Sequence, residues 1–147
     1  MKPKIYIDGK DGTTGLQIYD RLAARSDIDL LLIDEDKRKD PAERKKLMAA
    51  ADIVFLCLPD AAAVEAVALA EGTNARIIDA STAHRTAPGW VYGFPELKKG
   101  QREAIAKAKY VANPGCHATG FIAIAAPLVQ AGVLPAVDKH ARSKNEN

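Results

Sequence analysis

The sequence predicts an α/β fold built on a doubly wound, mostly parallel sheet, and three observations predict it. Short β-prone or wholly apolar runs alternate with segments of helical period. Only short turns separate most of them, as in sheets wound by strand–helix–strand units. The first strand also enters the first helix through a glycine-rich turn, which marks the Rossmann NAD(P)-binding form of the fold.

Each element has a local reason. "KIYI", residues 4–7, is the first β-prone run. After the glycine turn, Leu16, Tyr19, Leu22 and Ala23 recur at helical spacing. "DLLLID", residues 29–34, is a continuous apolar strand. In "DPAERKKLMAAA", Asp40 is the expected N-cap, Pro41 the first helical residue and Glu43 the far side of a capping box. "DIVFLCLP", residues 52–59, is apolar throughout and suits a strand buried on both faces. Asp60 is expected to cap the next helix and Gly72 to end it. "RIIDA", residues 76–80, is a fourth strand. From Ser81 to Pro95 the period is lost, and a long irregular loop rich in Gly, Pro and Thr is expected. "QREAIAKA" is then a helix, "KYVAN" (109–113) a fifth strand, and "TGFIAIAAPLVQAG" a helix with a kink or break at Pro127.

Length and composition bound the function. At 147 residues, the chain suits one domain, read as residues 1–136, with a polar tail at 137–147 expected to fray. A net charge of +2 and the absence of a basic run interleaved with aromatics argue against nucleic acid. No apolar run reaches membrane-spanning length, and "MKPKIYIDG" enters a strand pattern directly, without a signal-peptide core. Two cysteines make no disulfide framework, and no metal site is read. A cytoplasmic, reduced protein fits these features.

"IDGKDGTTGLQI" carries Gly9, Gly12 and Gly15 in a GxxGxxG spacing. The usual dinucleotide fingerprint would start at position 10, where this chain has Lys10. Gly12 can still let a pyrophosphate approach the backbone, Gly15 can allow close helix–strand packing, and Thr13 and Thr14 add hydroxyls at a helix N-terminus. The alternative is a tight turn that holds no ligand. Asp34 ends the second strand, nineteen positions after Gly15, where an acid commonly binds the ribose of NAD. Lys37 and Arg38 follow and could instead hold the 2′-phosphate of NADP. A solvated charged turn also accounts for "EDKRKD".

The two thiols differ in setting. Cys57, inside an apolar strand, suits core packing. Cys116 follows a strand and Pro114-Gly115 and precedes a helix, at the carboxyl edge of the sheet. A helix N-terminus favours thiolate, so Cys116 is either a nucleophile or a buried small side chain. A nucleophilic thiol beside a nicotinamide suggests acyl transfer to sulfur followed by hydride transfer. His117 is adjacent in sequence, and its side chain is expected to diverge from Cys116 on a helix. His84 reads as a surface or hydrogen-bonded histidine. Arg85 could clamp a phosphate or carboxylate, or form a surface ion pair.

"GTTGLQI", "LCLPD", "IDASTAHRTAPGWVYGFPEL" and "NPGC" together resemble N-acetyl-γ-glutamyl-phosphate reductase of arginine biosynthesis in its shorter bacterial form, from about Lys4 to about Pro135. That family is similar to aspartate-semialdehyde dehydrogenase. The resemblance implies an NADP-binding Rossmann domain, with Gly9, Gly12, Thr13, Thr14, Gly15, Leu16, Asp34, Lys37, Arg38, Ser81 and Gly115 around the cofactor. It implies that Cys116 forms an acyl-enzyme thioester, while Arg85 and Asn113 meet the acyl phosphate substrate. It also implies a homo-oligomer in the full-length family. Two departures stand out. The family has an aromatic and a proline after the cysteine, where this chain has His117 and Ala118. Family members also continue into a substrate domain that supplies a histidine acid/base, whereas "VDKHARSKNEN" matches nothing expected there, and His140 is no replacement. The sequence therefore reads as the cofactor half of such a reductase, cut short. The alternatives are a non-catalytic dinucleotide-binding fragment, or a relative acting on another acyl phosphate.

Overall fold

The computed structural model describes residues 1–135; the expected tail at 137–147, with His140, lies outside them. The described elements run β1 (Lys4–Asp8), α1 (Thr13–Ala23), β2 (Asp29–Leu31), a 3-10 turn (Glu35–Lys37), α2 (Pro41–Ala50), β3 (Ile53–Leu56), α3 (Asp60–Leu69), β4 (Arg76–Asp79), β5 (Val91–Tyr92), α4 (Gln101–Lys107), β6 (Tyr110–Ala112) and α5 (Cys116–Gln130). Among the described residues six strands form one sheet in the order β2-β1-β3-β4-β6-β5, with every pair parallel. The chain leaves β1 to one side for β2 and returns to its other side for β3. The order therefore reverses at β1, which is where doubly wound sheets open a ligand crevice at their carboxyl edge.

Register puts Tyr6, Val54 and Ile77 on one face, with Asp8, Leu56 and Asp79 one step closer to the carboxyl edge. Helices α2 and α3 cover this face. Its core joins Tyr6, Val54, Leu56 and Ile77 to Met48, Ala51, Ala66 and Ala70. Small alanines on α3 let that helix lie close to the strands. The opposite face is less completely covered: Ile53, Phe55 and Ile78 are only half-buried, while Ile5 and Ile7 on β1 are buried. The apolar run of β3 is thus fully buried on one side rather than both.

Local chemistry explains most boundaries. Asp40 caps α2 by accepting from the N–H of Ala42 at 2.9 Å, with Pro41 in the first turn. Glu43 does not complete a capping box here; it meets Lys46 at 2.9 Å. Asp60 is the first residue of α3 rather than its cap, because Pro59 occupies the capping position. Its carboxylate is turned outward and accepts from the Thr82 N–H at 2.8 Å and from the Thr82 hydroxyl. Arg76 closes the end of α4 by donating to the carbonyls of Ile105 and Ala108, both at 2.9 Å.

Two further expectations differ from the structure. The loop from Ser81 to Pro95 contains β5, which pairs with β6 and is tied to α4 by Gln101 Nε2 donating to the Tyr92 carbonyl at 2.6 Å. Two residues are too few to show an alternating pattern, so only the pairing reveals this strand. Helix α5 starts at Cys116 itself and is not broken at Pro127. That proline stands in the last turn, where it removes one donor, while the Pro127 carbonyl still accepts from Ala131 at 2.9 Å.

Candidate functional site

The predicted residues gather at two stations on the carboxyl edge of the sheet. One is the turn after β1 and the other is the start of α5 after β6. Strands β3 and β4 separate β1 from β6, so the stations stand about 14 Å apart at ordinary strand spacing.

At the first station each glycine has a distinct reason. Gly9 has φ +85°, and a Cβ there would collide with the carbonyl of Cys57. The left-handed residue of the turn is therefore at position 9, which frees position 10 for Lys10, whose ammonium lies 4.4 Å from the Tyr19 ring centre. A Cβ on Gly15 would collide with the Gly9 carbonyl and stand 2.7 Å from Lys10 Cα. Packing thus demands glycine at both positions. Gly12 is different: its nearest neighbour would be 3.6 Å away, an ordinary contact. The fold does not need glycine at 12, whereas a ligand approaching from outside would. Gly12 is also the N-cap of α1, without a side-chain cap, and Thr13, Thr14 and Leu16 are exposed on the first turn.

A cavity of about 430 Å³ opens over this turn, lined by Gly9, Lys10, Glu35, Arg38, Leu58 and Glu65 among others. Its inner wall is a buried ion pair, in which Arg44 Nη2 and Nε donate to Asp8 Oδ2 at 2.7 and 3.2 Å. The Tyr6 hydroxyl donates to the other Asp8 oxygen at 3.4 Å, and burial first, then the Asp8 charge, pushes the Tyr6 pKa upward. Asp34 is exposed and paired with Lys37 at 3.3 Å, while Arg38 meets Asp11 of the glycine turn at 2.7 Å. Arg38 thus reaches the cavity, and Asp34 does not line it. Neither Asp8 nor Arg44 stands out in the sequence, where the one signal is a polar residue ending an otherwise buried strand.

The second station is built around Asp79, at the end of β4. Its carboxylate is fully buried and accepts from the Ser81 N–H at 3.0 Å, the Ser81 hydroxyl at 2.6 Å and His84 Nδ1 at 2.6 Å. A carboxylate acceptor at Nδ1 places the proton on that nitrogen. His84 is buried and stacks on Trp90, with ring centres 4.1 Å apart. This is the hydrogen-bonded reading of His84. Ser81 is committed inward, its oxygen also accepting from Ala83 N–H at 3.2 Å. Asp60 grips the same loop from outside. Its carboxyl is held below the usual range by the Thr82 hydrogen bonds first, with a smaller contribution from Arg85.

Arg85 reaches across to the start of α5. Its Nη1 and Nη2 lie 2.7 and 2.9 Å from where a Gly115 side chain would begin. Among the described residues no carboxylate stands within ion-pair distance of Arg85, and its Nε is buried without a partner. The surface ion pair is not formed. Glycine at 115 leaves the space that the guanidinium occupies, and a side chain there would have to displace the flexible end of Arg85. Asn113 extends the β4–β6 ladder, donating its N–H to the Asp79 carbonyl at 2.7 Å, and its own side chain is exposed. Cys116 is the first residue of α5 and exposed, so it is not a packing thiol. His117 Nδ1 lies 3.8 Å from its sulfur, closer than divergence along a helix predicts, because both occupy the first turn and are free in solvent. Cys57 is the contrasting thiol. Burial first, then the charges of Asp8 and Asp79, push its pKa up to about 11.

Residues 31–108 match the family model described as "Semialdehyde dehydrogenase, NAD binding domain". The chain belongs to this semialdehyde dehydrogenase NAD-binding domain family. It is 60% identical over 134 residues to an N-acetyl-gamma-glutamyl-phosphate reductase of Trichormus variabilis, covering 91% of this chain and 42% of that protein. A reductase of the same name from Brucella ovis is 60% identical over 137 residues, covering 92% of this chain and 44% of its own length. The chain thus spans under half the length of these curated relatives. Among solved structures, aspartate semialdehyde dehydrogenase II of Vibrio cholerae, complexed with ASA, aligns at TM-score 0.65 and 14% identity over 89% of this chain and 47% of its own. The aspartate semialdehyde dehydrogenase of Candida albicans, solved with NADP, aligns at TM-score 0.60 and 13% identity over 89% of this chain and 48% of its own. At such identities these structures show a shared fold. The semialdehyde dehydrogenase domain described here is thus a nicotinamide-dinucleotide-binding unit with an exposed cysteine at its carboxyl edge. Among the described residues no helix is long and apolar enough to cross a membrane.

Proposed function

We propose that this chain carries the dinucleotide site and the nucleophile of an N-acetyl-γ-glutamyl-phosphate reductase. The observation that carries the reading is the arrangement at β6–α5: an exposed thiol heads a helix, and an arginine without a carboxylate partner lies against the preceding glycine. Cys116 Sγ attacks the acyl carbon of the acyl phosphate, the carbon–oxygen bond to phosphate breaks, and Arg85 receives the departing phosphate. The acyl group is left on sulfur as a thioester. A dinucleotide held at the β1 turn would supply hydride to the thioester carbon, and cleavage of the carbon–sulfur bond would release the aldehyde and return the Cys116 thiolate. Asn113 and Gly115 shape the approach to the thiol, and Ser81 acts by holding the loop that carries Arg85.

The turn fits the cofactor. Gly12 leaves room for a pyrophosphate, and the uncapped start of α1 offers it N–H groups from Thr13, Thr14 and Gly15. We assign NADP over NAD because Arg38 lines the cavity, with Lys39 beside it, whereas Asp34 and the other expected cation, Lys37, are paired with each other and do not line it. Calorimetric titration tests this assignment. NADPH is expected to bind at least about tenfold more tightly than NADH, and Gly12→Ala to weaken NADPH about tenfold, a change of roughly 1.4 kcal/mol. The same substitution should leave folding within about 0.5 kcal/mol, because the added methyl meets no close neighbour. Absence of dinucleotide binding would sink the reading. Incubation with the acyl phosphate should place one acyl group on Cys116 and none on a Cys116→Ser variant, read by intact mass.

A second reading, a dinucleotide-binding unit without turnover of its own, is favoured by one feature. Cys116 and His117 are both exposed, and α5 buries none of its residues. Slow or absent turnover with intact NADPH binding is the outcome it expects.

A further inference from the structure

We propose that Asp79 is a positioning residue for the thiol site, acting through His84 to hold the Arg85 guanidinium against Gly115 beside Cys116. The proposal rests on the reading in which Arg85 receives the phosphate of an acyl phosphate. It adds the device that keeps the arginine there.

The loop from Ser81 to Arg85 has little backbone support of its own. Its Arg85 N–H reaches the Thr82 carbonyl at 3.4 Å, and the Ala87 N–H reaches the His84 carbonyl at 3.2 Å. The first is at the outer limit of hydrogen-bond length. Side chains hold the loop instead. Asp79 accepts three hydrogen bonds in a fully buried setting, from the Ser81 N–H, the Ser81 hydroxyl and His84 Nδ1. A buried carboxylate bonded in this way is rigid, since any loop movement would strand it without partners. The third bond reaches the residue immediately before Arg85, and the stacking of His84 on Trp90 fixes the ring plane. The backbone from which Arg85 departs is therefore set by His84. Asp60 holds the loop near its start, through the Thr82 N–H and hydroxyl, and forms no ion pair with Arg85.

Arginine needs this help at such a place. Its guanidinium has no carboxylate partner among the described residues within ion-pair distance, and its Nε is buried without a hydrogen bond. Left to itself, so long a side chain would swing into water. A fixed loop keeps the charge against the start of α5, where it meets the same anion that the thiol attacks.

The test is the rate of Cys116 alkylation by anionic iodoacetate divided by the rate with neutral iodoacetamide, read on the Cys116 peptide. A nearby fixed cation raises this ratio, whereas general reactivity cancels from it. Arg85→Gln should lower the ratio roughly three- to tenfold, the effect of one unit charge a few ångströms from a solvated site. His84→Phe keeps a ring for Trp90 but loses the donor to Asp79, and should lower the ratio to the Arg85→Gln level. Asp79→Asn should do the same. His84→Asn restores a donor near the Nδ1 position and should return the ratio to within about twofold of the parent. Met48→Ala, which removes a core side chain far from this loop, should lower the melting temperature and leave the ratio alone. If Arg85→Gln lowers the ratio while His84→Phe and Asp79→Asn, whichever fold, retain the parent value, the positioning role is wrong and the role of Arg85 stands. If Arg85→Gln itself changes nothing, Arg85 is not a charge beside the thiol, and both fall.

Discussion

At the β1 turn, Asp8, Gly9 and Gly15 are held by close neighbours, and the Asp8–Arg44 pair walls a cavity from within. At the start of α5, Cys116 and His117 lie in solvent, and Phe121 and Ile124 on the same helix are 72% and 70% exposed. The inner wall of the first station is closed by the chain's own elements. The second offers one wall. Substitutions of the tightly held residues at the first, Asp8, Gly9, Gly15 and Arg44, should therefore register mainly in folding, and substitutions along α5 mainly in chemistry or association.

The largest expected effect tests the enclosed station. Arg44→Met leaves Asp8 buried without its partner and should cost about 3–5 kcal/mol in denaturant unfolding. Combining it with Asp8→Asn should recover much of that loss, since the stranded charge is gone. A cost below about 1 kcal/mol for Arg44→Met would mean that the β1 end is looser than its contacts imply.

A smaller effect compares the two thiols directly. Cys57 has its pKa raised from 9.0 to about 11, so its protonated form is favoured in the folded state. The corresponding stability is present below about pH 9 and is lost as the pH rises through 11. At pH 8, iodoacetamide should label exposed Cys116 at least about tenfold faster than half-buried Cys57, and the gap should narrow as the pH approaches 11. Equal rates at pH 8 would erase the distinction between the stations. The smallest effect lies on α5: Phe121→Ser with Ile124→Ser should change stability by no more than about 0.5 kcal/mol, while reducing binding of a hydrophobic dye. A loss of several kcal/mol would show that α5 is packed more firmly than its exposure indicates.

Local chemistry was legible wherever it alone decided the outcome. The Asp40 cap, the three-glycine turn and Cys116 between a strand and a helix follow from spacing and residue type. Where two distant segments compete for one group, the sequence was silent. Asp60 has the look of a cap, yet its carboxylate goes to Thr82, twenty-two positions away. β5 exists only because β6 lies beside it. His84 and Arg85 were visible as candidates, but nothing local distinguishes a buried histidine bonded to Asp79 from one in solvent.

By itself, then, the sequence determined the parallel α/β alternation, the dinucleotide turn and the thiol's place at the carboxyl edge, because periodicity, caps and glycine turns are set by near neighbours. Only the tertiary structure decided that glycine at positions 9 and 15 serves packing while Gly12 faces outward. It alone paired Arg44 with Asp8 and brought Arg85 onto Gly115. Those outcomes depend on which strands become neighbours and which carboxylates are closed off from water, and burial is what turns an ordinary acid into an anchor for a loop.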